Sequence, residues 1–121
     1  MTVEVQDMIF DDIERKARRI LSDTDEPYRW GSSELREHLQ TGIHALHAIR
    51  PETRYVNGLL TDFVAVPDVE AEVQDFPIDM RYEEALVYFV VHMCYLDDDS
   101  DTVNQQLAEL YIQKFNTKAQ I

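Results

Sequence analysis

Three of the chain's four histidines, His38, His44 and His47, fall within RWGSSELREHLQTGIHALHAIRPE, residues 29–52, and any metal chemistry would start from them. A three-residue step puts His44 and His47 on neighbouring faces of a helix, where the two could share an ion. Glu37 or His92 would then complete the ligand set of a metal-dependent hydrolase. The run has no HExxH or comparable spacing, however, and a zinc site needs three or four converging ligands. Histidines on the flank of a scaffold helix account for the pattern more simply, and no metal or other cofactor is expected.

The remaining reactive types point the same way. DDDSDTVNQQLAE, beginning at Asp97, looks like a calcium loop, but Thr102 and Ala108 stand where such a loop needs Gly and Glu. Capping and charge at a helix amino terminus explain its acids. Three glycines in 121 residues cannot build a Gly-rich phosphate loop. Cys94 lies in the most apolar run, where a thiol is a small hydrophobe rather than a nucleophile. Tyr28 and Trp30 could stack a base or a sugar, yet an aromatic beside a helix start ordinarily packs at the cap. The chain is not expected to be an enzyme.

Four helices must carry these residues. Ile9, Ile13, Ala17, Ile20 and Leu21 recur at three- and four-residue steps, with Arg15, Lys16, Arg18 and Arg19 toward the carboxyl end, which predicts a helix over 4–21. SDTDEPYRWGSS has turn chemistry throughout. Leu35, Leu39, Ile43, Leu46 and Ile49 form one stripe of a second helix, 33–49, capped by Ser32 or Ser33 and stopped by Pro51. Trp30, Ser32 and Pro51 are thus the scaffold residues at its corners. The third helix, 80–96, is apolar on most sides and should be the central one. The fourth, 102–116, presents Val103, Leu107, Leu110, Tyr111 and Phe115 on one face.

Between the second and third helices the period changes from helical to alternating. FVAV (63–66) and VEAEV (69–73) flank Pro67-Asp68, and Val69, Ala71 and Val73 alternate with Glu70, Glu72 and Gln74. An extended arm over 59–76, folded as a hairpin, is expected. A lone two-stranded ribbon is marginal, so it needs helices or another chain against it. The expected fold class is mainly α: a four-helix bundle with an extended β-hairpin or arm, in a single domain over 1–121.

Charge narrows the function. Against 24 acids there are 11 Lys and Arg, a net −13, which argues against binding a phosphate backbone. Residues 62–84 hold eight carboxylates and only Arg81, a local −7. A single cysteine excludes an internal disulfide, the amino terminus lacks an apolar signal core, and no window approaches the roughly 18 apolar residues of a membrane span. A soluble protein of a reducing cytosol, with no membrane partner, is expected.

The order of these elements resembles a known family. An opening amphipathic helix, WGSSELREHL at Trp30 to Leu39, RPE at Arg50 to Glu52, an extended segment reaching FPID at Phe76 to Asp79, and RYEEALVYFV at Arg81 to Val90 before a last helix look like the small head-to-tail adaptor (connector) proteins of tailed bacteriophages. The likeness covers residues 5 to about 116. It implies a homo-oligomeric ring in the neck of the virion, usually of twelve copies, that sits under the portal protein and joins it to a tail or nozzle protein. No catalytic residues come with the resemblance.

Several expectations follow for such a ring. Leu59, Leu60, Phe63, Val64 and Val66 of the arm should be partly exposed in the free subunit and buried between subunits. Glu70, Glu72 and Asp75 are the acids expected to face the central passage, where carboxylates let DNA through without specific binding. Phe115, Lys118 and Ile121 are expected to dock on the portal. The alternative is an acidic DNA mimic that inhibits a basic host nucleic-acid-binding protein, its Asp and Glu rows standing in for phosphates.

Overall fold

The computed structural model describes residues 7–98 and 102–120. Strand β1 (Asp7–Ile9) leads directly into helix α1 (Phe10–Leu21). Helix α2 (Ser32–Ile49) is followed by a 3-10 turn at Pro51–Arg54 and the short strands β2 (Tyr55–Val56) and β3 (Leu59–Leu60). After an irregular stretch come β4 (Asp75–Asp79), a second 3-10 turn at Met80–Tyr82, helix α3 (Glu83–Asp97) and helix α4 (Thr102–Ala119). The fold is mainly α, four helices with a small hairpin between the second and third.

Helix α1 begins at Phe10 rather than near residue 4, because residues 7–9 are in a strand; residues 4–6 lie outside the described residues. Asp11 and Asp12 occupy its first turn and Arg18 and Arg19 its last, both matched to the helix dipole. Ser22 closes it in the left-handed conformation at φ 56, and the Asp23 amide returns to the Arg18 carbonyl at 2.9 Å. Helix α2 carries the expected stripe, Leu35, Leu39, Ile43 and Leu46, all buried. Its N-cap is Gly31, not a serine, and the Ser32 hydroxyl instead donates to Glu14 Oε2 at 2.8 Å. Pro51 does end α2, then opens the 3-10 turn that follows.

Helix α3 packs against the other three helices and supplies Leu86, Phe89, Val90, Val91 and Cys94 to the core. Its first turn is 3-10, so the α-helix starts at Glu83 instead of residue 80. Gly42 lets α2 approach closely: a Cβ there would lie 2.8 Å from Phe89 Cδ1. Helix α4 runs to Ala119, beyond the expected end at 116, and its buried face is Ala108, Phe115 and Ala119. Val103 and Leu110, expected on that face, are exposed.

The extended segments depart most from expectation. VEAEV forms no strand; Val73 is exposed, and the Ala71 amide turns back to the Asp68 carbonyl at 2.9 Å. The hairpin lies earlier, with Tyr55 opposite Leu60 and Val56 opposite Leu59 around Asn57-Gly58, both at positive φ (52 and 81). That turn geometry twists in the sense that strands require, and Asn-Gly suits it. FPID is strand β4, antiparallel to β1 with Met8 opposite Phe76, and the pair buries Met8, Phe76 and Ile78. Pro77 is tolerated because a two-stranded ribbon has free edges.

Candidate interaction surface

One polar stripe of α2 grips the chain that follows the hairpin. Arg36, Gln40, His44 and His47 lie one residue round from the buried leucines, at steps that keep them on one side of the helix. Arg36 Nε donates to the Pro67 carbonyl at 2.8 Å and Nη2 to the Val66 carbonyl at 2.7 Å. Gln40 Oε1 accepts the Val66 amide at 2.8 Å, and its Nε2 donates to the Val64 carbonyl at 2.9 Å. The Val64 amide donates to His47 Nε2 at 3.1 Å. The His44 ring lies 5.0 Å from that of Phe63. Side chains of a helix thereby do for residues 61–68 what a neighbouring strand would do, which is why that stretch needs no strand partner.

The hydrogen bonds assign the His47 tautomer. Nε2 accepts, so the ring proton sits on Nδ1 and is donated to Thr53 Oγ1 at 2.6 Å, whose own hydroxyl donates to the Arg50 carbonyl at 2.7 Å. Burial, then the nearby His44 and Arg54 charges, hold the imidazole below its ordinary value. Both nitrogens are committed within the chain, so the His44–His47 pair is not arranged to share an ion. His38 Nε2 is 2.9 Å from Asp97 Oδ2, and His92 Nδ1 is 2.7 Å from the Ala108 carbonyl. Among the described residues no three His, Cys, Asp or Glu side chains are grouped to hold a metal.

The grip divides the five arm residues. Leu59, Leu60 and Phe63 are 72%, 57% and 47% exposed, and Tyr55 beside them is 56% exposed. Val64 and Val66, expected to be partly exposed, are only 3% and 2% exposed and belong to the core. Their backbones are pinned by Gln40, Arg36 and His47, which turns the valines inward and Phe63 outward. The hairpin and Phe63 thus expose large apolar side chains, Tyr55 and Leu60 on one face of the two-residue strands and Leu59 on the other, and exposed apolar side chains of this size are candidates for an interaction site.

The acidic segment divides too. Asp62, Asp68, Glu70, Glu72 and Asp75 are exposed. Asp79 instead accepts the Arg81 amide at 3.0 Å at the start of the 3-10 turn. Glu83 is buried and ion-paired with Lys16. Glu84 accepts from the Tyr88 hydroxyl at 2.8 Å and lies 3.4 Å from Lys118 Nζ; the tyrosine bond is the main cause of its lowered pKa.

Two other sets of residues prove to be scaffold. Trp30 is buried at a corner built on Arg18: Arg18 Nη1 bonds Asp23 Oδ2 at 2.9 Å and the Trp30 carbonyl at 2.8 Å, and Asp23 accepts the Arg29 and Trp30 amides. The Arg18 guanidinium also stacks 3.9 Å over the Tyr28 ring, which occupies the face a base would use. Phe115, expected to dock on a portal, is buried edge-on to Phe89 at 5.1 Å and has no surface to offer. The Ala119 carbonyl is held by Arg50 Nε at 2.8 Å, so this end of α4 is tied to the chain's own body. Ile121 lies outside the described residues. Cys94 is buried and its thiol is pushed up to about 12, mainly by burial.

Reasoning from sequence passed over Arg36, Gln40 and Tyr55. The Asn57-Gly58 pair was the available signal for the hairpin. Arg36 and Gln40 carry no sequence signal, since a polar stripe on a helix ordinarily faces solvent. Comparison with protein-family models, with curated proteins and with solved structures finds no match for this chain.

Proposed function

We propose that the chain is a structural virion protein, a head-to-tail adaptor that assembles as a ring under a portal and joins it to a tail or nozzle protein. The observation that carries this reading is the exposure of Tyr55, Leu59, Leu60 and Phe63, large apolar side chains on the hairpin and just before the stretch that α2 pins from Val64 onward. A ring built of identical copies needs one surface of each subunit to fit a different surface of the next, and a projecting hairpin serves as one half of such a contact. The order of elements that resembles the adaptor family supports the same reading. In the ring Glu70, Glu72 and Asp75 face the DNA passage, where they repel phosphates and keep the duplex from sticking. The role is one of assembly, not catalysis.

The exposed carboxylates at 62, 68, 70, 72 and 75 favour one other reading, an acidic DNA mimic directed at a basic host protein. Co-sedimentation with a purified portal ring separates the two. An adaptor adds many copies per portal at its tail-side end. A mimic leaves the portal bare and binds a basic nucleic-acid-binding protein in a manner that salt abolishes.

A further inference from the structure

Thr61 is tied to Arg54 by three hydrogen bonds, and the backbone from Val64 to Pro67 is held by α2 side chains of two different chemistries. Arg36 and Gln40 bind the Val66 amide and the Val66 and Pro67 carbonyls, and Gln40 Nε2 also donates to the Val64 carbonyl. At the amino end the Val64 amide has His47 Nε2 as its acceptor. An imidazole accepts there only while Nε2 is unprotonated; with both nitrogens protonated it is a donor on each side. Nδ1 cannot take over, because it already donates to Thr53, whose hydroxyl is committed to the Arg50 carbonyl.

We propose that His47 is a protonation-sensitive latch on the arm: a second proton on the ring breaks the hydrogen bond to the Val64 amide while the Gln40 and Arg36 bonds to the Val64 carbonyl, Val66 and Pro67 hold. Protonation sets Nε2–H against the Val64 N–H, two donors face to face. The charged groups that bear on the ring are His44, one turn back on α2, and Arg54, on the adjoining 3-10 turn, so an imidazolium there meets like charge from both elements. The opened state frees the ring to water and takes the proton at the ordinary value of 6.5, whereas the closed state resists it. Opening is therefore favoured as pH falls, by up to about tenfold per pH unit below that value. The segment loosened runs from Asp62 to the Val64 amide, between Thr61 on Arg54 and the Val64 carbonyl on Gln40, so the latch controls how firmly Phe63 is presented. The latch rests on the contacts of the arm alone and holds whether or not the chain forms a ring.

The test is residue-resolved amide hydrogen exchange on the intact chain from pH 7.5 to 5, corrected for intrinsic exchange, with the imidazole nitrogens followed by long-range proton–nitrogen correlation. The expected result is an Nδ1–H tautomer for His47 at pH 7.5. As the ring titrates, protection at Val64 falls about tenfold per pH unit while Val66 keeps its own. In His44→Gln the Val64 response persists; in His47→Gln it is gone. Should His47→Gln fail to fold, the contrast between Val64 and Val66 in the unsubstituted chain decides. A ring that gains no second proton above pH 5, a Val64 amide indifferent to that proton, or equal loss at Val64 and Val66 would each overturn the proposal.

Discussion

Gln40 and Val66 are joined as residues on paired strands are joined: the Gln40 amide oxygen accepts the Val66 N–H at 2.8 Å. The same amide group donates to the Val64 carbonyl at 2.9 Å, so one helical side chain satisfies two backbone groups of the arm. Gln40→Ala would leave both without a partner in a half-buried setting, at a cost of about 1–3 kcal/mol. Urea unfolding should show that loss, whereas Thr41→Ala, on the exposed side of the same helix, should move the midpoint little.

Gly42 makes an opposite prediction from helix propensity. An exposed helical glycine replaced by alanine gains about 1 kcal/mol. Here the new Cβ would stand 2.8 Å from Phe89, whose ring is already packed on Phe115 and His92 and has no room to yield. Gly42→Ala should lower stability by about 1–3 kcal/mol, measured by thermal unfolding.

How much of this was legible beforehand differs from element to element. The stripe of α2 and the all-round apolarity of α3 were readable because long helices repeat their pattern over several turns. β1 and β4 were not, since their pairing joins Met8 to Phe76 across most of the chain and Pro77 interrupts the second strand. VEAEV alternates as a strand should, but in its neighbour FVAV the amides and carbonyls of Val64 and Val66 are bound by α2 side chains, and that edge is closed to a strand partner. On α4 hydrophobicity alone places Phe115 and Tyr111 rightly, but Val103 and Leu110 face out while the small residues Ala108 and Ala119 face inward. The histidines of α2 were read as an exposed flank, but His47 is buried and, with Arg36 and Gln40, holds the backbone from Val64 to Pro67.

Stability should depend on pH through His47. Its folded value lies below 6.5 and its unfolded value at 6.5, so below 6.5 the unfolded chain binds more protons. The stabilisation is complete above that pH and is lost as pH falls through it toward the folded value. Urea unfolding at pH 7.5 and 5.5 should show a larger drop for the unsubstituted chain than for His47→Gln.

Cys94 should be inert in the native state. With its thiol raised from 9.0 to about 12, the thiolate at pH 8 is about a thousandfold scarcer than for an ordinary cysteine, and the side chain is buried besides. A thiol reagent should label it only on unfolding, so that labelling in urea tracks the unfolding curve.

The central claim is that the hairpin surface assembles the ring, and Leu59→Asp with Leu60→Asp tests it most directly. Both side chains are exposed in the single chain, so the double variant should keep the helical circular dichroism of the parent. Co-sedimentation with a portal ring, followed by imaging, should show many copies of the parent chain at the tail-side end and none of the variant. A folded variant that adds to the portal as the parent does would contradict the claim.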